Sequence, residues 1–379
     1  MSRFPKNDII SLIGAAPRYD LAESVGPNLS LGELLEASDW EALRNASLGY
    51  GTAEGEAALR KAIGGQHDVG PDNVVVTLGG AHALFLIALV LCGQGDEAIT
   101  TAPVFPHTRT GLEATGARVK VLRLTFDEGY QPDLTNFIAL LSPATKLVSL
   151  ASPQNPSGVT IEQYRLEEMA AAMARICPNA YLLVDETYRE ATYGTQPPTR
   201  SVISSLGPRT VSVASLSKCH GAPGLRIGWA ITRAPEMREQ LVLGKFNTAI
   251  SCSPIDEALA LTVLRRRDLV LSERSLRLAH AVHLTDDWVS ANSRHVQWVR
   301  PNAGAICCVR LRPAVFDDAA VSGFYQAAAR AGVRVANGAW FGDEARVFRL
   351  GFGLLDGADL QIALRILSTV LREIVPHLG

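Results

Sequence analysis

The chain has 379 residues, 47% hydrophobic and 20% charged, with a formal net charge of −2. That length exceeds what one hydrophobic core usually serves, so two domains are expected, and the near-neutral charge gives no footing for nucleic acid or an anionic membrane surface. The longest apolar run, Ala83 to Cys92, is far short of the roughly 20 residues of a membrane span, and six scattered cysteines with no C-x-x-C pair read as reduced thiols of a cytoplasmic protein, with no metal site.

The opening residues, MSRFPKNDII, lack the apolar stretch of a signal peptide. Residues 1 to about 40 are rich in Pro and Gly and read as irregular. From there, short β-branched runs alternate with helix-like stretches. Strands are expected at Val74–Leu78, Glu97–Thr101, Val119–Leu124, Lys146–Leu150, Tyr181–Val184, Thr210–Ala214 and Arg226–Ile231, with helices at Ala81–Cys92, His107–Ala114 and Glu162–Ile176 among the gaps. YLLVD at 181–185 is apolar without alternation, as a strand covered on both faces should be. The alternation predicts an α/β fold whose large domain, 40–275, carries a mostly parallel, doubly wound seven-stranded sheet. A long helix is expected from Asp256 towards Asn292, then strands at His295–Val299, Ile306–Leu311 and Val347–Leu350. With the N-terminal stretch these form a smaller α+β domain, 1–39 and 276–379. Adjacent Cys307 and Cys308 should face opposite ways in a strand.

In an open α/β sheet, ligands gather at the carboxyl ends of the strands. The unusual residues of this sequence fall there. Gly79-Gly80 follows the first strand and Pro103-Val104-Phe105-Pro106 the second. Pro153-Gln154-Asn155-Pro156 follows the fourth, Asp185-Glu186-Thr187-Tyr188 the fifth and Ser215-Leu216-Ser217-Lys218 the sixth. Hydroxyls before Lys218, a glycine-rich turn and Arg226 make a donor set suited to a phosphate dianion. Gly80-Ala81-His82 opens an apolar helix, whose N-terminus favours an anion. Asp185 closes an apolar strand, where a carboxylate needs a partner. It reads either as a helix cap or ion pair, or as a partner for a heterocyclic N–H⁺. Asn155 reads equally as an Asx turn. The Rossmann, P-loop, nucleophile-elbow and H-E-x-x-H signatures are absent from the sequence.

From about Tyr50 to Arg349 the chain resembles the fold-type-I pyridoxal 5'-phosphate (PLP) enzymes, specifically the class I/II aminotransferases. The resemblance rests on S-x-S-K-x-x-G-x-P-G-x-R-x-G at 215–228, on Asn155-Pro156-x-Gly158 and on Asp185-x-x-Tyr188. It implies that Lys218 holds PLP as a Schiff base and later moves the substrate proton. Asp185 would pair with the pyridine nitrogen, Asn155 and Tyr188 with the ring 3'-oxygen, and Phe105 would stack on the ring. Gly80, Ala81, His82, Ser215, Ser217 and Arg226 would form the phosphate cup, His82 through its backbone. Tyr50, in Y-x-x-x-x-G-x-x-x-L-R, is similar to the tyrosine that reaches the phosphate of a neighbouring subunit, which implies a homodimer with shared sites. Arg349, in RLGFG, resembles the arginine that binds the substrate α-carboxylate, with Asn155 beside it. Gly14, in LIGAAP, resembles the segment that closes over the substrate. The reaction implied is transfer of an amino group between an amino acid and a 2-oxo acid. The same scaffold also serves PLP lyases, cyclases and oxidases. PLP-sensing regulators form a third class, but residues 1–40 are too short for the DNA-binding domain those carry.

Overall fold

The structure, a computed structural model, describes residues 4–375. Seven strands form the main sheet: β1 (Val74–Thr77), β2 (Glu97–Ala102), β3 (Arg118–Arg123), β4 (Thr145–Ala151), β5 (Tyr181–Asp185), β6 (Thr210–Ser215) and β7 (Gly228–Thr232). They lie in the order β1-β7-β6-β5-β4-β2-β3. β7 is antiparallel to both β1 and β6, and the other pairings are parallel. This is the expected α/β fold. β5 shows why its sequence is apolar throughout: Tyr181 and Leu183 pack into one hydrophobic cluster and Leu182 and Val184 into another. Both faces are covered, so period-2 patterning has no solvent face to mark.

The expected strand Arg226–Ile231 begins later, at Gly228. Arg226 takes a left-handed conformation (φ 51°, ψ 37°) at the end of a 3-10 turn over Pro223–Leu225, and so cannot join the ladder.

A four-stranded antiparallel sheet is built from β8 (Val296–Val299), β9 (Ile306–Leu311), β10 (Ala336–Asn337) and β11 (Val347–Gly351), in the order β10-β11-β9-β8. Helices Asp318–Arg330 and Gly357–Ile374 pack on it. Cys307 belongs to that core and Cys308 to a cluster under the main sheet, so the adjacent thiols do face opposite ways. All six cysteines are free and buried.

Two expectations need correction. The long helix is two, Pro254–Arg265 and Arg267–Ala291. Arg266 breaks it because its guanidinium is held by the Leu34 carbonyl and, at 2.7 Å, by Asp39. No Pro or Gly announces that break. The N-terminal stretch is also less irregular than its composition suggests. It carries a 3-10 turn at Asp8–Leu12 and helices at Leu31–Leu34 and Ala37–Arg44. Ser30 and Glu33 cap the second of these reciprocally, an S-x-x-E signature legible in the sequence. This stretch touches both parts of the molecule. Tyr19 and Leu21 enter the core of the small sheet, and Leu34 and Leu35 that of β1 and β7.

Candidate active site

The carboxyl ends of β4, β5 and β6 open into a cavity of about 1020 Å³, closed on the far side by residues 4–13 and 23–28. The phosphate end is shaped by backbone. β1 runs through Leu78 to Gly79 and Gly80, where a 12-residue helix starts. Gly79 has φ 79°, and a Cβ on it would lie 2.6 Å from Arg226 Nη2. A Cβ on Gly228 would lie 2.5 Å from the Gly79 carbonyl carbon and 2.6 Å from the Gly80 nitrogen. The two chain segments therefore touch as only glycines allow. The amides of that helix's first turn have no intrahelical acceptor. Gly80, Ala81, Ser215, Ser217 and Arg226 all line this end. The exposed Arg226 guanidinium donates to Pro223 O at 2.8 Å. His82 lies outside the lining. Its Nδ1 accepts from the Leu78 N–H (3.2 Å) and its Nε2 faces Thr248 Oγ1 (3.3 Å). Burial, then Lys245, lowers its pKa, so it sits there as a neutral ring.

Lys218 donates to Ser24 Oγ at 3.1 Å. Burial, then the Arg349 charge, lowers its amine from 10.5 to about 8, against the opposing pull of Glu23 and Asp185. Asp185 Oδ1 accepts from the Thr187 N–H at 3.0 Å. Burial raises its carboxyl, while Thr187 and Lys218 draw it down. A carboxylate in that setting is short of a cation. Asn155 donates to Tyr188 Oη (3.4 Å) and accepts from Arg349 Nη1 (2.8 Å). Burial pushes the Tyr188 phenol up to about 12. Phe105 lies over His107, ring centroids 4.7 Å apart and planes at 12°.

Arg349 is the most telling of these side chains. It is 1% exposed, its Nη2 donates to Ala22 O and its plane lies 4.7 Å over Phe341, yet its Nε has no hydrogen-bond partner. No carboxylate in the described residues forms an ion pair with it, and burial lowers its pKa. A buried guanidinium without an anion is costly, and one planar anion would satisfy it.

Besides His82, two sequence-expected residues lie outside the cavity lining. Tyr50 is 85% exposed on the surface of its own chain. Gly14 (φ 136°) is exposed, with nothing within 4 Å of a built Cβ. Glu23 and Ser24 occupy the substrate-facing wall, and sequence reasoning passed over both. Their only sequence signal is a polar pair between apolar residues, in DLAESVGP. Among the described residues no group of three or more His, Cys, Asp or Glu is placed to hold a metal, and no helix is long and apolar enough to cross a membrane.

The donor set fits PLP: hydroxyls, an arginine and free amides for a dianion, a buried carboxylate for a ring N–H⁺, and an amine low enough to react near neutrality. Comparison with known proteins agrees. The family "Aminotransferase class I and II" matches residues 23–367. Capreomycidine synthase of Streptomyces vinaceus is 30% identical over 88% of this chain and 85% of its own. The arginine–pyruvate transaminase AruH of Pseudomonas aeruginosa is 27% identical over 82% of this chain and 79% of its own. A PLP-dependent aminotransferase from Streptococcus suis superposes with a TM-score of 0.89 at 25% identity, covering 98% of this chain and 99% of its own.

Proposed function

The chain belongs to the class I and II aminotransferases, PLP-dependent enzymes, and from that premise we propose how its residues exchange an amino group between an amino acid and a 2-oxo acid. PLP, when bound, supplies an electron sink for charge developing at the substrate Cα. The amides of Gly80, Ala81 and His82, the hydroxyls of Ser215 and Ser217 and the Arg226 guanidinium hold its phosphate. Asp185 keeps a proton on the ring nitrogen, Asn155 and Tyr188 hold the 3'-oxygen, and Phe105 covers a ring face. Lys218 anchors the cofactor and then carries the proton to and from the substrate Cα. An amine whose pKa lies near 8 suits that task. Arg349 fixes the α-carboxylate with two parallel bonds and so orients the Cα–H bond. Tyr50, exposed on its own chain, reaches the phosphate of a second copy, so the active unit is a homodimer. The six unpaired thiols suit a cytoplasmic enzyme.

The observation that carries this reading is the buried, anion-less Arg349 beside the low-pKa Lys218. Amino acid added in stoichiometric amount, with no 2-oxo acid, should bleach the visible band of the bound cofactor and stop at one equivalent per site. A 2-oxo acid should restore the band, and borohydride should fix the cofactor on Lys218. A second reading, a PLP-dependent lyase or cyclase, is favoured by the 30% identity to a relative named as a synthase. Product accumulating beyond one equivalent without a 2-oxo acid would establish that reading in place of transamination. For the dimer, a Lys218→Ala protein mixed with a Tyr50→Phe protein should recover part of the activity on subunit exchange. No recovery despite proven exchange would rule out the shared site.

A further inference from the structure

Six Lys, Arg, Asp and Glu side chains line the cavity: Lys6, Glu23, Asp185, Lys218, Arg226 and Arg349. His107, also in the lining, is driven towards its neutral form by burial. Under the function proposed above, on which this inference rests, four of the six have work to do. Asp185, Lys218 and Arg226 serve the cofactor and Arg349 the substrate carboxylate. Lys6 is exposed, in the segment before the 3-10 turn. Glu23 is left over.

Glu23 lies between two residues that are already engaged in the site. Ala22 O accepts from Arg349, and Ser24 Oγ accepts from Lys218. Glu23 is half-buried as a residue, and among the described residues its carboxylate has neither a hydrogen bond nor an ion pair. The nearby cations are committed elsewhere. Arg334 forms two bonds to Asp20, at 3.1 and 2.5 Å. Arg349 is to take the α-carboxylate, and Lys218 the cofactor. Each feels the Glu23 charge without touching it. Once substrate carboxylate and cofactor are in place, the wall nearest the substrate carries one negative charge with no protein partner. A carboxylate so placed favours a cationic group and repels an anionic one.

We propose that Glu23 is a specificity residue that selects amino acids with a cationic side chain, a guanidinium or an ammonium at the end of an aliphatic stem, over neutral and acidic ones. The apolar cavity wall formed by Ile9, Ile10, Leu12 and Ile13 would carry the stem, and Glu23 would receive the head.

The test uses dead-end ligands that lack the amino group, so that affinity is read without turnover. Calorimetric titration of the PLP-loaded protein with 5-guanidinopentanoate, hexanoate and adipate compares cationic, neutral and anionic ends on similar stems. The cationic ligand should bind roughly 10- to 100-fold tighter than hexanoate, the range for a hydrogen bond to a charged group, and adipate weakest. In Glu23→Gln that ratio should collapse towards one, and Glu23→Asp should restore part of it. Equal affinity for the cationic and neutral ligands in the wild type, a preference for adipate, or an unchanged ratio in Glu23→Gln would overturn the assignment while leaving the proposed reaction standing. A protein that takes up no PLP and shows no visible band would overturn the reaction itself and this inference with it.

Discussion

The two walls of the cavity are built on different principles. The sheet-edge wall is made of strand ends and tight turns, where Gly79, Gly80 and Gly228 touch backbone to backbone and Asn155, Asp185 and Lys218 end or follow strands paired with neighbours on both sides. The opposite wall, residues 4–28, has a five-residue 3-10 turn and one two-residue strand pairing Tyr19–Asp20 with Val333–Arg334. Ile10 and Ile13 line the cavity yet stay 66% and 84% exposed. The first wall fits a cofactor common to a whole family, and under the proposed function the second would meet the variable part of the substrate. Rigid scaffold and adaptable segment divide chemistry from specificity between them.

That contrast can be broken by substitution. The largest effect is expected at the sheet edge. Lys218→Ala should lower kcat by at least roughly 10²–10⁴-fold, the range typical of a positioned general base, with the fold intact by circular dichroism. Turnover within tenfold of wild type would remove Lys218 from the chemistry. Asp185→Asn comes next. It should retain PLP yet lose on the order of 10²–10³ in kcat, as when a preorganised charge partner is removed. A few-fold loss would show that Asp185 is only a cap for the Thr187 amide.

A pair of alanine substitutions compares the walls directly. Gly228→Ala forces a Cβ into the Gly79–Gly80 backbone and should cost about 1–3 kcal/mol of stability, together with PLP affinity. Gly14→Ala meets open space, so its cost comes from its positive φ alone, about 1–3 kcal/mol, with PLP affinity unchanged. PLP titration decides between them, and an equal loss of affinity in both would mean that the second wall shapes the cofactor site as tightly as the first.

The pH dependence of Lys218 sharpens the same comparison. In cofactor-free protein its folded pKa, about 8, lies below the usual 10.5. The folded state therefore loses the proton first. Stability from this group is lowest below about pH 8 and rises as pH goes from about 8 to about 10.5, because the unfolded chain still binds the proton there. Competitive labelling with an amine reagent should find Lys218 half-reactive near pH 8, and a midpoint like that of surface lysines would contradict the burial argument. The smallest effect belongs to the second wall. Ser24→Ala, which removes the acceptor for Lys218, should shift that midpoint by less than about one unit, in keeping with one net hydrogen bond of about 1 kcal/mol.

The sequence alone determined the alternation of elements, the doubly wound sheet and the cluster of functional residues at its carboxyl edge. Those signals are local: apolar runs such as YLLVD, and turn residues such as Gly79-Gly80 whose conformation few other residues tolerate. The resemblance to the class I/II aminotransferases also singled out Arg349, in RLGFG. What only the tertiary structure decided involves contacts between segments far apart in the chain. Arg266 breaks a helix through bonds to Leu34 and Asp39, more than 200 positions away. Arg349 is buried with only the neutral acceptors Asn155 and Ala22, which take two of its five donors and leave Nε unpaired. Of LIGAAP, the stretch that resembles the segment closing over the substrate, Leu12 and Ile13 line the cavity and Gly14 does not, and beyond the parallel pairing of Tyr19–Asp20 with Val333–Arg334 the chain brings Glu23 and Ser24 to it as well. A two-residue strand has too little pattern to be read from sequence, and its partner lies 314 residues on. The charge that Glu23 brings to the site follows from that pairing.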